Sequence, residues 1–118
     1  MDRRKRAGDY GEAAAEGFLR GKGHAILQRK YIAAGGEVDI ITKDGETLVF
    51  VEVKHRKAAV LGAPVQAVTS AKQQRIAKAA MQYLAEIGDM DAMCRFDVVE
   101  VVGREMLEIN HIVDAFWV

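Results

Sequence analysis

The stretch Gly35 to Arg56, GGEVDIITKDGETLVFVEVKHR, decides the fold. Two apolar runs, Val38 to Thr42 and Thr47 to Val53, alternate as strands do, and Asp44-Gly45 between them is a hairpin signal. Yet Glu37, Asp39, Glu52 and Lys54 sit inside or beside those runs, where a sheet ordinarily takes Val or Ile. A two-residue Asp44-Gly45 loop and a four-residue loop closed by Thr42 and Thr47 predict the same pairing. Glu37 then faces Glu52, Asp39 faces Phe50, and Ile41 faces Leu48. Opposed residues share a face, so the four charges project to one side. Val38, Ile40, Val49, Val51 and Val53 make an apolar surface on the other.

Such segregation needs an explanation. Two carboxylates about 4 Å apart repel by roughly 4 kcal/mol at an effective dielectric near 20. A raised pKa, a nearby cation or splaying into solvent would each offset that. Lys54 supplies one positive charge, and a divalent ion supplies more. All-oxygen donors suit Mg²⁺ or Mn²⁺. The plain alternative is an exposed sheet face dressed with salt bridges. Against it, Ile41, Leu48 and Phe50 share that face, which places the acids at the rim of a core.

Outward from the hairpin, Asp9 is a candidate cap for a helix running to about Arg20, ended by Gly21 and Gly23. His24 to Ile32 reads as a strand and Ala33 to Gly36 as a turn. Arg56 to Val68 has no clear period and contains Gly62 and Pro64, so it reads as a mobile loop. A long helix follows from about Ala71 to Ile87, with Ser70 and Gln73 as a capping box and Ile76, Ala80, Tyr83, Leu84 and Ile87 as its buried stripe. Arg95 to Val102 and Met106 to Val113 read as two further strands. The long helix makes a crossover, so the fourth strand is expected parallel to the third, with a right-handed connection. The expected fold is α/β: a mixed central sheet flanked by helices, of order α-β-β-β-α-β with an extra C-terminal strand.

The totals fit one domain over residues 1–118. The chain is 50% hydrophobic and carries zero formal net charge, so its bulk charge does not mark a nucleic-acid or membrane binder. Charge is local: Arg3, Arg4, Lys5 and Arg6 form a basic run, either a solvated terminus or a phosphate-contacting arm. The lone Cys94 cannot form an internal disulfide, and no leader-like or membrane-spanning apolar run is seen, so the expectation is a cytoplasmic protein with no membrane partner.

Asp39 followed on the next strand by Glu52-Val53-Lys54 resembles the active-site pattern of the PD-(D/E)xK nuclease superfamily, and the element order resembles its core. The segments GDYGEAAAEGFLRGKG, GGEVDIITKDGETLVFVEVKHR, APVQAVTSAKQQRIAKAAMQYL and RFDVVEV together look like the YraN-like family of small bacterial proteins. The likeness reaches to about Val101. That family's fold resembles archaeal-type Holliday junction resolvases, which are homodimeric, metal-dependent and structure-specific endonucleases. The resemblance implies Asp39 and Glu52 as metal ligands and Lys54 as the catalytic lysine. It implies Glu12 as an acid brought to the metal by the first helix, against the reading of a solvated helix glutamate. Glu37 matches the family's Gly-Glu pair and is a further candidate ligand. Gln73 could approach the site, although capping is its simpler role. One departure stands out: relatives usually carry asparagine after the arginine of the first strand, where this chain has Arg29-Lys30-Tyr31.

The implied activity is metal-dependent hydrolysis of DNA phosphodiester bonds, in branched or single-stranded DNA, by a weak homodimer. Lys54 is expected to hold its proton, because two carboxylates adjoin it, and so to stabilise charge and position water. Arg56, Lys57, Lys72 and Arg75, with Gln73, are candidate nucleic-acid contacts, against the reading of solvated charges. His24, His55 and His111 lack metal-ligand spacing, and His55 should face away from Lys54. The alternatives are a non-catalytic nucleic-acid-binding or adaptor module on the same fold, and a protein-interaction subunit with a structural acid cluster.

Overall fold

The computed structural model describes residues 3–57 and 68–118, and side chains from residue 9 onward in the first of these segments. The elements are α1 (Arg3–Gly21), β1 (Ala25–Ala33), β2 (Gly36–Asp44), β3 (Thr47–Arg56), α2 (Ser70–Ile87), β4 (Cys94–Val102) and β5 (Glu108–Phe116). The five strands form one sheet in the order β1-β2-β3-β4-β5. Only β3 and β4 are parallel; the other neighbours are antiparallel. This is the α/β order expected, with the extra C-terminal strand on the far edge. Ala58 to Ala67, most of the expected loop, lies outside the described residues.

One helix covers each face. On the α1 side, Ala15 and Leu19 pack on Ile40, Val49, Val51, Val99 and Val101. Gly11 continues that stripe one turn earlier. A Cβ there would come within 2.9 Å of the His55 Cβ, so glycine lets α1 lie close on β3. On the α2 side, Ile76, Ala79, Ala80, Tyr83 and Leu84 pack on Ile41, Leu48, Phe50, Phe96 and Val98. Gly36 has the same role under α2: a Cβ would sit 2.1 Å from the Arg75 carbonyl oxygen.

Several expectations need correction. The hairpin pairs Asp44 with Thr47, Ile41 with Phe50 and Ile40 with Val51, two residues away from the expected register. The turn is centred on Gly45-Glu46, with positive φ at Gly45 only (61°), so the glycine holds the first central position, as in a type II′ turn. A shift of two preserves which residues share a face. Val38 nevertheless packs in the α2 core with Ile41 rather than beside Ile40, so alternation breaks at Asp39. Helix α1 begins at Arg3, so Asp9 lies within it and does not cap it. Helix α2 is capped by Thr69, whose hydroxyl accepts from the Lys72 amide at 3.2 Å, and Gln73 donates to the Val68 carbonyl at 3.0 Å. The expected Ser70–Gln73 capping box does not form. The last strand starts and ends two to three residues later than its apolar pattern suggested.

Candidate metal and phosphodiester site

The break at Asp39 builds the site. Pairing between β2 and β3 ends at Ile40–Val51, while β2 stays paired to β1 as far as Gly36. The two strands part, and the Val53 amide donates to Asp39 Oδ2 at 2.8 Å. A side-chain carboxylate thus takes a bond the ladder no longer supplies. Opposite, Lys30 in β1 adopts a left-handed φ of 49°. That geometry comes more easily to asparagine than to lysine, so Lys30 holds a backbone conformation its residue type does not favour.

Three carboxylates meet at this parting. Asp39 stands close enough to Glu12 from α1 and Glu52 from β3 to help raise the pKa of both, after burial. Glu52 is only 5% exposed. Burial, then its bond and charge contact with Asp39, push its pKa up to about 8, although Lys72 pulls the other way. Glu12 rises to about 7, first through burial and then through the Asp39 charge, with Lys30 opposing. The folded site therefore favours the protonated forms of Glu12 and Glu52, through burial first and the charge repulsion anticipated from the sequence second.

The cations around it are Lys30, Lys54 and Lys72. Lys30 pairs with Asp9 at 2.5 Å and lies 3.7 Å from Glu12. Lys72, in the first turn of α2, pairs with Glu52 at 3.2 Å. Lys54 is half-buried against Lys72. Burial, then the Lys72 ammonium, hold its pKa below the usual lysine value, and the carboxylates only partly oppose this. The acids oppose loss of the Lys54 proton, as expected, but burial and Lys72 set the net downward direction. On Lys72, burial acts to lower the pKa, but Glu52 outweighs it and the net direction is upward.

The structure therefore brings together Glu12, Asp39, Glu52, Lys54 and Lys72. It places the remaining candidates elsewhere. Glu37 is exposed and lines a groove of about 530 Å³ with Gly35, Gly36, Lys72, Arg75 and Ile76. Arg56 is paired to Glu100 at 3.1 Å, and Lys57 is exposed. Gln73 is engaged with the Val68 carbonyl. His55 lies on the α1 side, near Tyr10. A second groove, of about 240 Å³, opens on the α1 side between Glu12, Lys30 and Asp39. Asp39 is thus approached from both faces of the sheet.

Lys72 was read from the sequence as a candidate nucleic-acid contact; its pairing with Glu52 was not foreseen, but a signal for it existed. A right-handed β-α-β crossover returns from the C-terminal end of the first strand, so the first turn of α2 must start near Glu52 and Lys54. Among the described residues no three acidic, histidine or cysteine side chains stand ready-made around one point for a metal. The donor chemistry still fits a hard cation, because these are oxygen donors whose pKa values are raised first by burial and then by one another's charge.

The fold and site define an α/β protein with an acid–acid–lysine cluster where two sheet strands diverge. The chain belongs to the family described as "Uncharacterised protein family UPF0102", whose model matches residues 11–101. A UPF0102 protein of Geotalea daltonii is 48% identical over 114 residues, 95% of this chain and 90% of the relative. One of Symbiobacterium thermophilum is 50% identical over 97 residues, 82% of each chain. One of Geobacter metallireducens is 44% identical over 113 residues, 95% of this chain and 93% of the relative.

Proposed function

We propose that this chain is a metal-dependent nuclease that hydrolyses DNA phosphodiester bonds. The observation that carries the reading is the convergence of Glu12, Asp39 and Glu52 beside Lys54 at an open strand end. Asp39, Glu52 and Glu12 would hold Mg²⁺ or Mn²⁺, with Glu37 further out on the groove rim. Such an ion, when bound, acidifies a water and neutralises phosphate charge. Lys54 touches the reacting phosphate region and stabilises negative charge there; its lowered pKa also makes the neutral amine, the form that can act as a base, more accessible than in an ordinary lysine. Lys72 and Arg75 line the groove that would take the backbone phosphates. A cytoplasmic setting and weak two-fold pairing, which would present two sites to a symmetric junction, belong to the same proposal. Among the described residues no helix is long and apolar enough to cross a membrane.

A second reading has one observation in its favour. The Lys72 ammonium already occupies Glu52, as it would in a nucleic-acid-binding module that kept the fold without catalysis. A cleavage screen over duplex, flap, single-stranded and four-way-junction DNA, in Mn²⁺, Mg²⁺ and EDTA, decides between the two. Metal-dependent cleavage that Asp39→Asn abolishes supports the nuclease. Junction binding without cleavage under either metal replaces it with the binding module.

A further inference from the structure

We propose that Lys72 is a metal-displaced positioning residue: it is the counter-ion of Glu52 before a divalent cation binds, and a phosphate ligand in the adjoining groove afterwards. The inference rests on the nuclease reading of this site and adds an order of loading to it.

Glu52 is nearly sealed from water, and a buried carboxylate is stable only with a partner. Lys72 is that partner at 3.2 Å. Its position is otherwise unfavourable. It stands in the first turn of α2, where the backbone amides present partial positive charge, and its own amide is already taken up by Thr69. It also abuts the ammonium of Lys54. The charges of Glu52 and Asp39 hold the ammonium there, with a smaller contribution from a hydrogen bond to Lys54 when that amine is neutral. A cation bound between Asp39 and Glu52 takes over that charge, and the helix end, Lys54 and the ion then all repel Lys72.

The side chain has somewhere to go. It is 35% exposed and lines the groove with Gly35, Gly36, Glu37 and Arg75. A phosphate in that groove would meet Arg75 and the released Lys72 together. Metal binding would therefore create the phosphate grip, and the chain would hold nucleic acid more tightly when the ion is present.

Calorimetric titration with Mn²⁺ alone, no nucleic acid present, tests this on the parent, Lys72→Met and Lys72→Arg. Removal of the competing charge should tighten Mn²⁺ binding about tenfold in Lys72→Met, while Lys72→Arg stays near the parent. Lys72→Gln removes the same charge and keeps the comparison available if Lys72→Met does not fold. In a companion titration with junction DNA in Ca²⁺, the parent should gain affinity on addition of the ion and Lys72→Met should not. Equal Mn²⁺ affinity in parent and Lys72→Met, with binding lost in Asp39→Asn, overturns the role of Lys72 and leaves the metal site standing. Absence of Mn²⁺ binding in every variant overturns the metal site, and the displacement with it.

Discussion

Lys54 and Glu52 lie two residues apart on one strand face and are shifted in opposite directions, each toward its neutral form. Burial is the largest cause for both, so the site disfavours charge of either sign until a partner arrives. If Lys54 acts on charge that develops during the reaction, Lys54→Ala should lower single-turnover cleavage by roughly 100- to 1,000-fold, by analogy with lost oxyanion donors. Junction affinity should change only a few-fold, because Arg75 and Lys72 still line the groove. Cleavage at the parent rate would remove Lys54 from the mechanism. Glu52 yields a prediction about stability in the metal-free chain. It titrates near 4.5 when unfolded and near 8 when folded, so the folded state holds the proton longer. Stability is fully present below about pH 4.5 and falls as pH rises to about 8. Glu52→Gln cannot lose a proton, so it should melt several degrees above the parent at pH 8.5 and close to it at pH 4.5. The same shift at both pH values would mean that Glu52 is not the group responsible.

At the scale of elements, the hairpin was legible because apolar alternation and the Asp-Gly signal agree. Its register was not, because Asp44-Gly45 suggests glycine in the second central position and the chain puts it in the first. The error spared most of the site, since a shift of two keeps the paired side chains on their own faces, and alternation breaks only beyond the paired stretch, at Asp39. The site's cause was less visible: nothing in the apolar pattern announces that β2 parts from β3 before Ile40, or that Lys30 goes left-handed across from Asp39. The adjoining glycines can be tested. Gly36→Ala would drive a Cβ to 2.1 Å from the Arg75 carbonyl oxygen, backbone that cannot rotate away. It should cost about 1–3 kcal/mol, as overpacked positions do, and should move α2 off β2. Since Lys72 rides on α2, Gly36→Ala should also weaken phosphate binding more than Gly45→Ala, where a Cβ meets open space and only the left-handed φ is strained. Denaturant melts and junction titrations of the two variants make the comparison.

The whole molecule carries its titrating groups in two sets with opposite pH responses. The acids of the candidate site favour low pH. A second network, on the α1 side toward the hairpin turn, favours high pH. It escaped the sequence reading because its members are scattered over the α1–β1 connection, β2, β4 and β5, and only the fold gathers them. Asp97 is fully buried and receives Arg95 at 3.0 Å, the Asp114 amide at 2.9 Å and His111 Nε2 at 2.7 Å. Lys22 donates to His111 Nδ1 at 3.0 Å, so the His111 proton sits on Nε2, facing Asp97. Arg95 also reaches Asp44, and His24 Nδ1 lies 2.8 Å from the Thr42 hydroxyl.

Burial alone would raise the pKa of Asp97, but His111, Arg95 and the Asp114 amide outweigh it and hold it below the usual carboxylate value. Its stabilisation is present above the unfolded value of 3.8 and is lost as pH falls through the folded one. Burial likewise keeps the His24 pKa below 6.5, so the folded state resists a proton that the unfolded chain accepts. That stabilisation begins to fall as pH drops below about 6.5. Acid should therefore unfold the chain through this network, while the acids of the candidate site soften the loss. Asp97→Asn leaves Arg95 and His111 without their charged partner and should cost about 3–5 kcal/mol at pH 7, as broken buried pairs do. The deficit should shrink as pH falls below 3.8, where the unfolded parent takes up a proton at Asp97 that the folded state resists. Denaturant melts of parent and Asp97→Asn between pH 3 and pH 8 give both curves; a deficit that stays constant across that range would assign the stabilisation to packing rather than to the Asp97 charge.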